Sequence, residues 1–140
     1  MAVVKITFDG SSVGAKTDAE IYHFLLSNEV GIFNGFKGGI NYSFSNGKIT
    51  FSDGYASIYG RLIYIENNTQ VSVALDSSKK GYVVLGINTN TNDASLYIKE
   101  GTSYPSLTTT NLLNSNGLYE LVLCAYSKTS SAFGTLKWTR

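Results

Sequence analysis

The chain has 140 residues and a formal net charge of +1, with 11 basic residues against 10 acidic ones. A chain of this length forms one domain, residues 1–140, and folding it buries enough surface for an ordinary apolar core. The basic residues are scattered, which argues against the clustered positive charge that nucleic acid and anionic membranes require. No segment resembles a signal peptide or a membrane-spanning helix, so we expect synthesis in the cytoplasm, no secretion by a signal peptide and no membrane insertion.

The first predicted elements are a strand and a short helix. Val4, Ile6 and Phe8 alternate with polar residues, which predicts an opening strand. Thr17-Asp18-Ala19-Glu20 matches a capping box, so we predict a helix from about Asp18 to Ser27 with Thr17 as its N-cap. On a helical projection His23 falls on the polar face, where we expect it to point to solvent. The opposite face is a broad apolar stripe of Ile21, Tyr22, Phe24, Leu25 and Leu26.

A glycine-rich segment, GIFNGFKGGI at residues 31–40, follows the helix. It matches neither GxxxxGK[ST] nor GxGxxG, the two patterns in which a glycine loop cradles phosphate. We therefore interpret it as a loop with a bulge.

The stretch SNGKITFSDGYASIYGR, residues 45–61, holds two turn dipeptides, Asn46-Gly47 and Asp53-Gly54. Both dipeptides tolerate the positive φ that a two-residue hairpin loop requires. The first turn sets Phe44 opposite Ile49, and the second would set Phe51 opposite Ala56. The two registers agree on one buried face, made of Tyr42, Phe44, Ile49, Phe51, Ala56 and Ile58. The other face carries Asn41, Ser43, Thr50, Ser52, Tyr55, Ser57 and Tyr59.

The remaining chain adds further predicted strands. The meander continues through Gly60 into residues 61–66, and a turn at Asn67-Asn68 would pair Tyr64 with Val71. GYVVLGIN is apolar on both faces, as in a central strand, and a turn at residues 88–93 makes a hairpin with residues 94–99. Residues 101–117 form a crossing loop with a helical turn near Leu112, and LYELVLCAY and AFGTLKWT close the sheets. This pattern predicts a mainly β chain, an antiparallel β-sandwich or barrel-like fold with one short N-terminal α-helix.

No catalytic constellation emerges from the residue types. His23 is the only histidine and Cys124 the only cysteine, too few for a serine triad or a structural zinc site. Most carboxylates are explained by turns, the first helical turn or strand ends. A glycosidase would need two carboxylates that converge across sheets, an alternative that sequence leaves open. We predict no enzymatic activity, no catalytic residues, no cofactor and no metal.

The outer face of the meander is the candidate functional surface. Tyr55 and Tyr59 lie there among small polar residues with Lys48, and Arg61 follows just after Gly60. Tyrosine and arginine are typical of interface centres. We predict an interface made of Lys48, Tyr55, Tyr59 and Arg61; the alternative is a solvated sheet face with strand-favouring tyrosines.

A family resemblance bears on function. ITFDGSSVGAKTDAEIYHFL, NGKITFSDGYASIYGRLIYIE, GYVVLGIN, GTSYPSLTTTNLL and GLYELVLCAYSKT resemble, in order and spacing, structural proteins from tailed phages and prophages of Gram-positive bacteria. The resemblance spans nearly the whole chain. It implies a non-enzymatic baseplate, tail-fibre or appendage component of the virion tail tip, with other tail proteins as partners, and it implies no catalytic residues.

One departure from the pattern leaves the role within such a particle open. Members with this pattern often continue into fibre or receptor-binding sequence, whereas this chain ends at Lys137-Trp138-Thr139-Arg140. Either assembly or host recognition fits, and we expect a homo-oligomer, a trimer first, because fibres commonly have threefold symmetry. The alternative function is a carbohydrate-binding module that engages host cell-surface glycan through exposed tyrosines.

Overall fold

The computed structural model describes residues 15–26 and 28–137, and the predicted opening strand lies outside this part of the chain. The fold is mainly β, with three antiparallel sheets that include one curled half-barrel, and a short helix near the N-terminus. The predicted fold class is therefore confirmed. The elements are α1 (Ala15–Leu25), β1 (Gly31–Ile32), β2 (Tyr42–Ser45), β3 (Lys48–Phe51), β4 (Gly54–Ile58), β5 (Arg61–Ile65), β6 (Thr69–Ser72), β7 (Lys79–Asn88), β8 (Asp93–Gly101), β9 (Leu118–Lys128) and β10 (Phe133–Lys137).

The strands form three sheets, and strands that follow one another in the sequence do not always lie in the same sheet. One three-stranded sheet has the order β2-β3-β6 and the other has the order β1-β4-β5. The C-terminal strands form a four-stranded sheet with the order β10-β9-β7-β8. The chain therefore leaves the first sheet after β3, builds the β4-β5 hairpin in the second, and returns to pair β6 with β3.

The predicted hairpin at Asn46-Gly47 is confirmed. Asn46 and Gly47 have φ values of 53° and 74°, and the register sets Phe44 opposite Ile49 and Ser45 opposite Lys48. Positive φ at both loop positions is the geometry that Asn-Gly favours, so local chemistry alone determines this turn.

The predicted hairpin at Asp53-Gly54 is wrong. Gly54 is the first residue of β4 and pairs with Ile65 of β5, while Phe51 pairs with Thr69 of β6. The Asp53 carboxylate instead accepts a hydrogen bond of 2.9 Å from the Gly38 amide. Asp53 thereby ties the crossover to the glycine-rich loop and takes no part in a hairpin turn.

The turn that folds β4 back onto β5 is Tyr59-Gly60, where sequence analysis placed a continuous strand. These residues have φ values of 50° and 80°, and Ile58 pairs with Arg61 across the turn. The predicted pairing of Tyr64 with Val71 is also wrong, because Val71 pairs with Ile49 of β3 and β6 lies in a different sheet from β5.

The C-terminal half follows the predicted order. β7 lies between β8 and β9, and its hairpin with β8 closes where Asn88 pairs with Asp93. In the crossing loop, the Ser115 amide donates to the Asn111 carbonyl at 3.2 Å, which makes the predicted helical turn beside Leu112. These three predictions are confirmed.

A single apolar core joins all three sheets. The predicted face is confirmed at its centre, because Ile49, Phe51, Ala56 and Ile58 are fully buried. Cys124 is a buried free thiol in the same core. The other buried core members are Ile40, Ile65, Val73, Val83, Leu85, Ile87, Leu112, Leu123 and Tyr126.

The helix differs from its prediction in both bounds and orientation. It begins at Ala15, so Thr17 lies within its first turn and is not the N-cap. His23 is buried beside Ala19, whereas Phe24 is 71% exposed and Leu25 is 67% exposed. The reason is steric, since a Cβ at Gly60 would overlap the Ala19 carbonyl oxygen. The backbone of the helix approaches the Tyr59-Gly60 turn closely, and the side of the helix that faces this turn carries Ala19 and His23.

Candidate interaction surface

Four aromatic side chains gather on the side of the β1-β4-β5 sheet that faces away from the core. Tyr55 of β4 and Tyr64 of β5 are direct cross-strand partners. Phe33 and Phe36 come from the loop after β1, which is held in place because the Phe33 amide donates to the Tyr55 carbonyl at 3.0 Å. We call Phe33, Phe36, Tyr55 and Tyr64 the aromatic cluster.

The rings of the aromatic cluster are in contact with one another. Tyr55 is central, with ring centroids 5.4 Å from Phe36 at an interplanar angle of 24° and 4.9 Å from Tyr64 at 43°. Phe33 stacks on Tyr55 at a centroid distance of 6.4 Å. These distances lie in the range of favourable offset aromatic pairs, so the cluster is organised before any partner arrives.

The aromatic cluster is also exposed. Phe36 and Tyr64 leave 50% and 48% of their surface in solvent. Partial desolvation and the nearby Asp53 carboxylate raise the pKa of the Tyr64 hydroxyl above its ordinary value of 10.0. A polar edge therefore borders the apolar rings on the side of Tyr64.

Apolar exposure continues from the aromatic cluster toward α1. Leu62, two residues from Tyr64 on the same strand face, is 49% exposed and lines a hollow together with Tyr22 of the helix. Ile21, Phe24 and Leu25 add further exposed apolar surface on the same helix. Large apolar side chains in solvent are unusual when they adjoin, and adjoining ones mark interaction sites.

The structure does not bring together the four predicted interface residues. Tyr55 is the centre of the aromatic cluster, whereas Lys48 is an exposed residue of β3 in a different sheet. Tyr59 packs inward, with its ring centroid 5.0 Å from His23 and 5.6 Å from Tyr119. Arg61 lines one hollow with Asp93 and also the hollow that Tyr22 and Leu62 share. The assumption of one sheet face was wrong because it required a hairpin at Asp53-Gly54.

Three residues of the cluster were missed by sequence reasoning. Tyr64 carried a signal, because Leu62 and Tyr64 alternate with Ile63 and Ile65 as on a two-faced strand. Phe33 and Phe36 carried none, because a glycine-rich loop has no periodicity from which to infer the direction of a side chain.

A buried carboxylate on the four-stranded sheet is a second polar feature. Glu120 is 4% exposed and accepts hydrogen bonds from the Tyr97 hydroxyl at 2.5 Å, the Thr108 amide at 2.7 Å and Lys99 Nζ at 2.9 Å. Burial alone would raise the pKa of Glu120, but these bonds outweigh it and hold the pKa below 4.5. Lys99 also donates to the Ser106 carbonyl at 2.7 Å. Glu120 thus anchors the crossing loop to the sheet, with its oxygens already occupied by donors.

A buried cation lies near the other end of the same sheet. Lys128, whose side chain is 1% exposed, forms ion pairs with Glu100 at 2.7 Å and Asp76 at 3.2 Å. It also donates to the Ala74 carbonyl. Burial would lower the pKa of Lys128, but its two carboxylate partners outweigh this and raise it. The cluster joins the segment after β6 to β8 and β9, which is a structural role.

The described residues form neither a metal-binding group nor a membrane-spanning helix. Within residues 15–26 and 28–137, no three His, Cys, Asp or Glu side chains are grouped to hold a metal ion. No helix in that part of the chain is both long enough and apolar enough to cross a membrane.

A scan against models of known protein families and a search of the curated proteins gave no match to this chain. The phage-tail function suggested by the sequence patterns therefore stays a prediction.

Proposed function

We propose that the chain is a non-enzymatic structural component of a phage or prophage tail tip, a baseplate or tail-fibre module that serves assembly or carries host recognition. The observation that supports this best is the aromatic cluster beside an apolar helix face, both in solvent. Interface centres are enriched in aromatic residues that are fully desolvated only when the partner docks.

The stacking within the aromatic cluster favours a protein partner. Tyr55 has Phe36 and Tyr64 against it, so much of its ring surface is occupied inside the cluster. What the cluster offers to solvent is the half-exposed rings of Phe36 and Tyr64, with the polar Asp53 beside Tyr64. Exposed rings of this kind fit a pocket on another protein, where loss of water from the rings supplies the binding energy.

The buried polar clusters support a non-enzymatic role. Glu120 already accepts bonds from three donors, and Lys128 already contacts two carboxylates and a carbonyl. Side chains in such closed networks stabilise the fold and are poorly placed to exchange protons with a substrate.

Reconstitution of tail-tip particles tests the proposal. Tyr64→Ala and Phe36→Ala should each weaken incorporation about tenfold or more, because truncation of an aromatic interface residue typically costs about 2 kcal/mol. Tyr104→Ala is the matched control, since Tyr104 is 39% exposed but stacks on Tyr82 of the four-stranded sheet. Normal incorporation of both cluster variants would exclude this surface from assembly.

Light scattering on the wild-type protein tests the expected oligomer. We propose a homotrimer in the virion, in keeping with threefold fibres. If the aromatic cluster joins copies of this chain, Tyr64→Ala should shift the trimer toward monomer. If it joins a different tail protein, the oligomeric state should remain unchanged while incorporation falls.

A carbohydrate-binding module is the second candidate function. It is favoured by the half-exposed rings of Phe36 and Tyr64 and by Asp53, because sugars stack on aromatic faces and donate hydroxyl hydrogen bonds to carboxylates. A screen of bacterial cell-surface glycans with the isolated protein distinguishes the candidates. Glycan binding that Tyr64→Ala abolishes and Tyr104→Ala preserves would support the module, and turnover of the glycan would indicate a glycosidase.

A further inference from the structure

A groove separates two strands that are paired on one side only. In the described part of the chain, β5 is the outer strand of the β1-β4-β5 sheet and β8 is the outer strand of the four-stranded sheet. Two hollows of about 250 and 330 Å³ lie between them and share Ile63 and Ala94, so they form one continuous groove. We call it the β5-β8 groove.

The two strands run in the same direction along the groove. The first hollow joins Arg61 at the start of β5 to Asp93 at the start of β8. The second joins Ile65 and Glu66, further along, to Leu96. Every strand pair among the described elements is antiparallel, so β5 and β8 cannot continue this pattern by pairing with each other. A strand bound in the groove and antiparallel to both would continue the antiparallel pattern on either side.

The lining of the groove specifies the chemistry of such a strand. Its floor is apolar, formed by Ile63, Ile65, Leu85 and Leu96. Arg61 and Asp93 bring opposite charges to one end, whereas Glu66 alone is charged at the other. The N-terminal end of an antiparallel strand would meet Glu66, so a basic residue there is complementary.

We propose that the β5-β8 groove binds an extended strand of a neighbouring protein, with alternate apolar residues and a basic residue at its N-terminal end. Backbone hydrogen bonds to the two strand edges, which no strand within residues 15–26 and 28–137 pairs with, supply affinity, and the apolar floor selects the side-chain alternation. The proposal rests on the proposed assembly function for its biological setting, but it concerns a different surface from the aromatic cluster.

A peptide-binding experiment on the full-length protein tests this inference. The probe is a fluorescent peptide of about eight residues, with alternating Val and Thr and a lysine at its N-terminal end. We expect saturable anisotropy and slower amide exchange in both β5 and β8. Moving the lysine to the C-terminal end should weaken binding about threefold, the scale of an exposed ion pair. Absence of binding to the full-length protein overturns the proposal.

Two variants locate the bound probe. Ala94→Arg fills the groove from an exposed position and should abolish binding, whereas Ser43→Arg, on exposed β2, should leave it unchanged. Binding that survives Ala94→Arg in a folded protein overturns the proposal. Binding that appears only after deletion of residues 1–14 also overturns it, because the groove would then be reserved for the chain's own N-terminal segment. Loss of particle incorporation in Tyr64→Ala with peptide binding intact would separate this surface from the aromatic cluster.

Discussion

The outer faces of two sheets in this protein differ in how far the chain itself covers them. On the four-stranded sheet the crossing loop covers the face, anchored by Glu120 through Thr108 and by Lys99 through Ser106. On the β1-β4-β5 sheet a short helix covers one end and leaves the aromatic cluster in solvent. Both faces carry a tyrosine on an outer strand, Tyr64 on β5 and Tyr97 on β8, so composition does not distinguish them.

The difference lies in where hydrogen bonds are available. The hydroxyl of Tyr97 donates a hydrogen bond to Glu120 beneath the loop. Burial and this hydrogen bond raise the pKa of Tyr97 well above 10. The Tyr64 hydroxyl has the Asp53 carboxylate beside it but no covering loop, and the residue remains half exposed. A sheet face covered by its own chain is therefore built for stability, whereas the one left open is the better candidate for recognition.

The largest expected effect comes from the core that both sheets share. Phe51→Ala removes a fully buried ring and should lower the free energy of unfolding by about 3–5 kcal/mol in denaturant melts. Phe36→Ala removes the same atoms from the aromatic cluster and should change it by less than about 0.5 kcal/mol. Equal losses of unfolding free energy in the two variants would contradict the assignment of Phe51 to the core and of Phe36 to a recognition surface.

The helix can be detached from the open sheet at a single glycine. Gly60→Ala should cost about 2 kcal/mol or more, since it combines a positive φ of 80° with a clash against Ala19. Gly35→Ala measures the cost of positive φ without a clash, because Gly35 has a φ of 74° but open space around it. This substitution should lower the free energy of unfolding by about 1 kcal/mol. Amide exchange should show faster opening of α1 in the first variant only. Similar stability of the two variants would argue against close helix contact.

The attachment of the crossing loop to the four-stranded sheet can be weakened at Glu120. Glu120→Gln keeps the shape but loses the charge that accepts from Tyr97, Lys99 and Thr108, and should cost about 2 kcal/mol. Limited proteolysis should then cut residues 102–110 faster while leaving the aromatic cluster unchanged. A resistant loop in this variant would mean that packing alone holds it down.

Low pH should also loosen the crossing loop, with a smaller effect than Glu120→Gln. The folded-state pKa of Glu120 is held below 4.5, so its contribution is fully present above that value and is lost as pH falls through the lowered pKa. We expect proteolysis of the loop to be constant between about pH 8 and 5 and to increase below about pH 4. Glu120→Gln should remove this dependence, and an unchanged acid response would assign it to another carboxylate.

The sequence predicted the fold well where turn chemistry is local. Asn46-Gly47 and the turn between Asn88 and Asp93 appear as expected, because their residues favour the required backbone. Asp53-Gly54 has the same local preference but is overruled by a contact across the fold, the bond from Gly38 to the Asp53 carboxylate. Tyr59-Gly60 makes a hairpin with a tyrosine at positive φ, which no local preference would have indicated.

The candidate site was predicted only in part for the same reason. Tyr55 belongs to it, but Lys48 and Tyr59 were grouped with it on the strength of the wrong turn, and Arg61 because it follows just after Gly60. His23 was assigned to solvent from helical periodicity, which assumes that the apolar side of a helix is buried. Close backbone approach at Gly60 favours the opposite side, and steric fit of this kind has no counterpart in a hydrophobicity pattern.

The ion pairs of Lys128 make this residue a built-in reporter of unfolding. Amine-reactive reagents modify lysines in solvent, and the Nζ of Lys128 is shielded by Glu100, Asp76 and the Ala74 carbonyl. Because these partners come from the segment after β6 and from β8 of the same sheet as Lys128, the amine becomes reactive only when that segment and the Glu100 side chain move away from it. The labelling rate of Lys128 in mass spectrometry would thus measure opening of this part of the protein inside an assembled particle, where optical melts cannot follow one component.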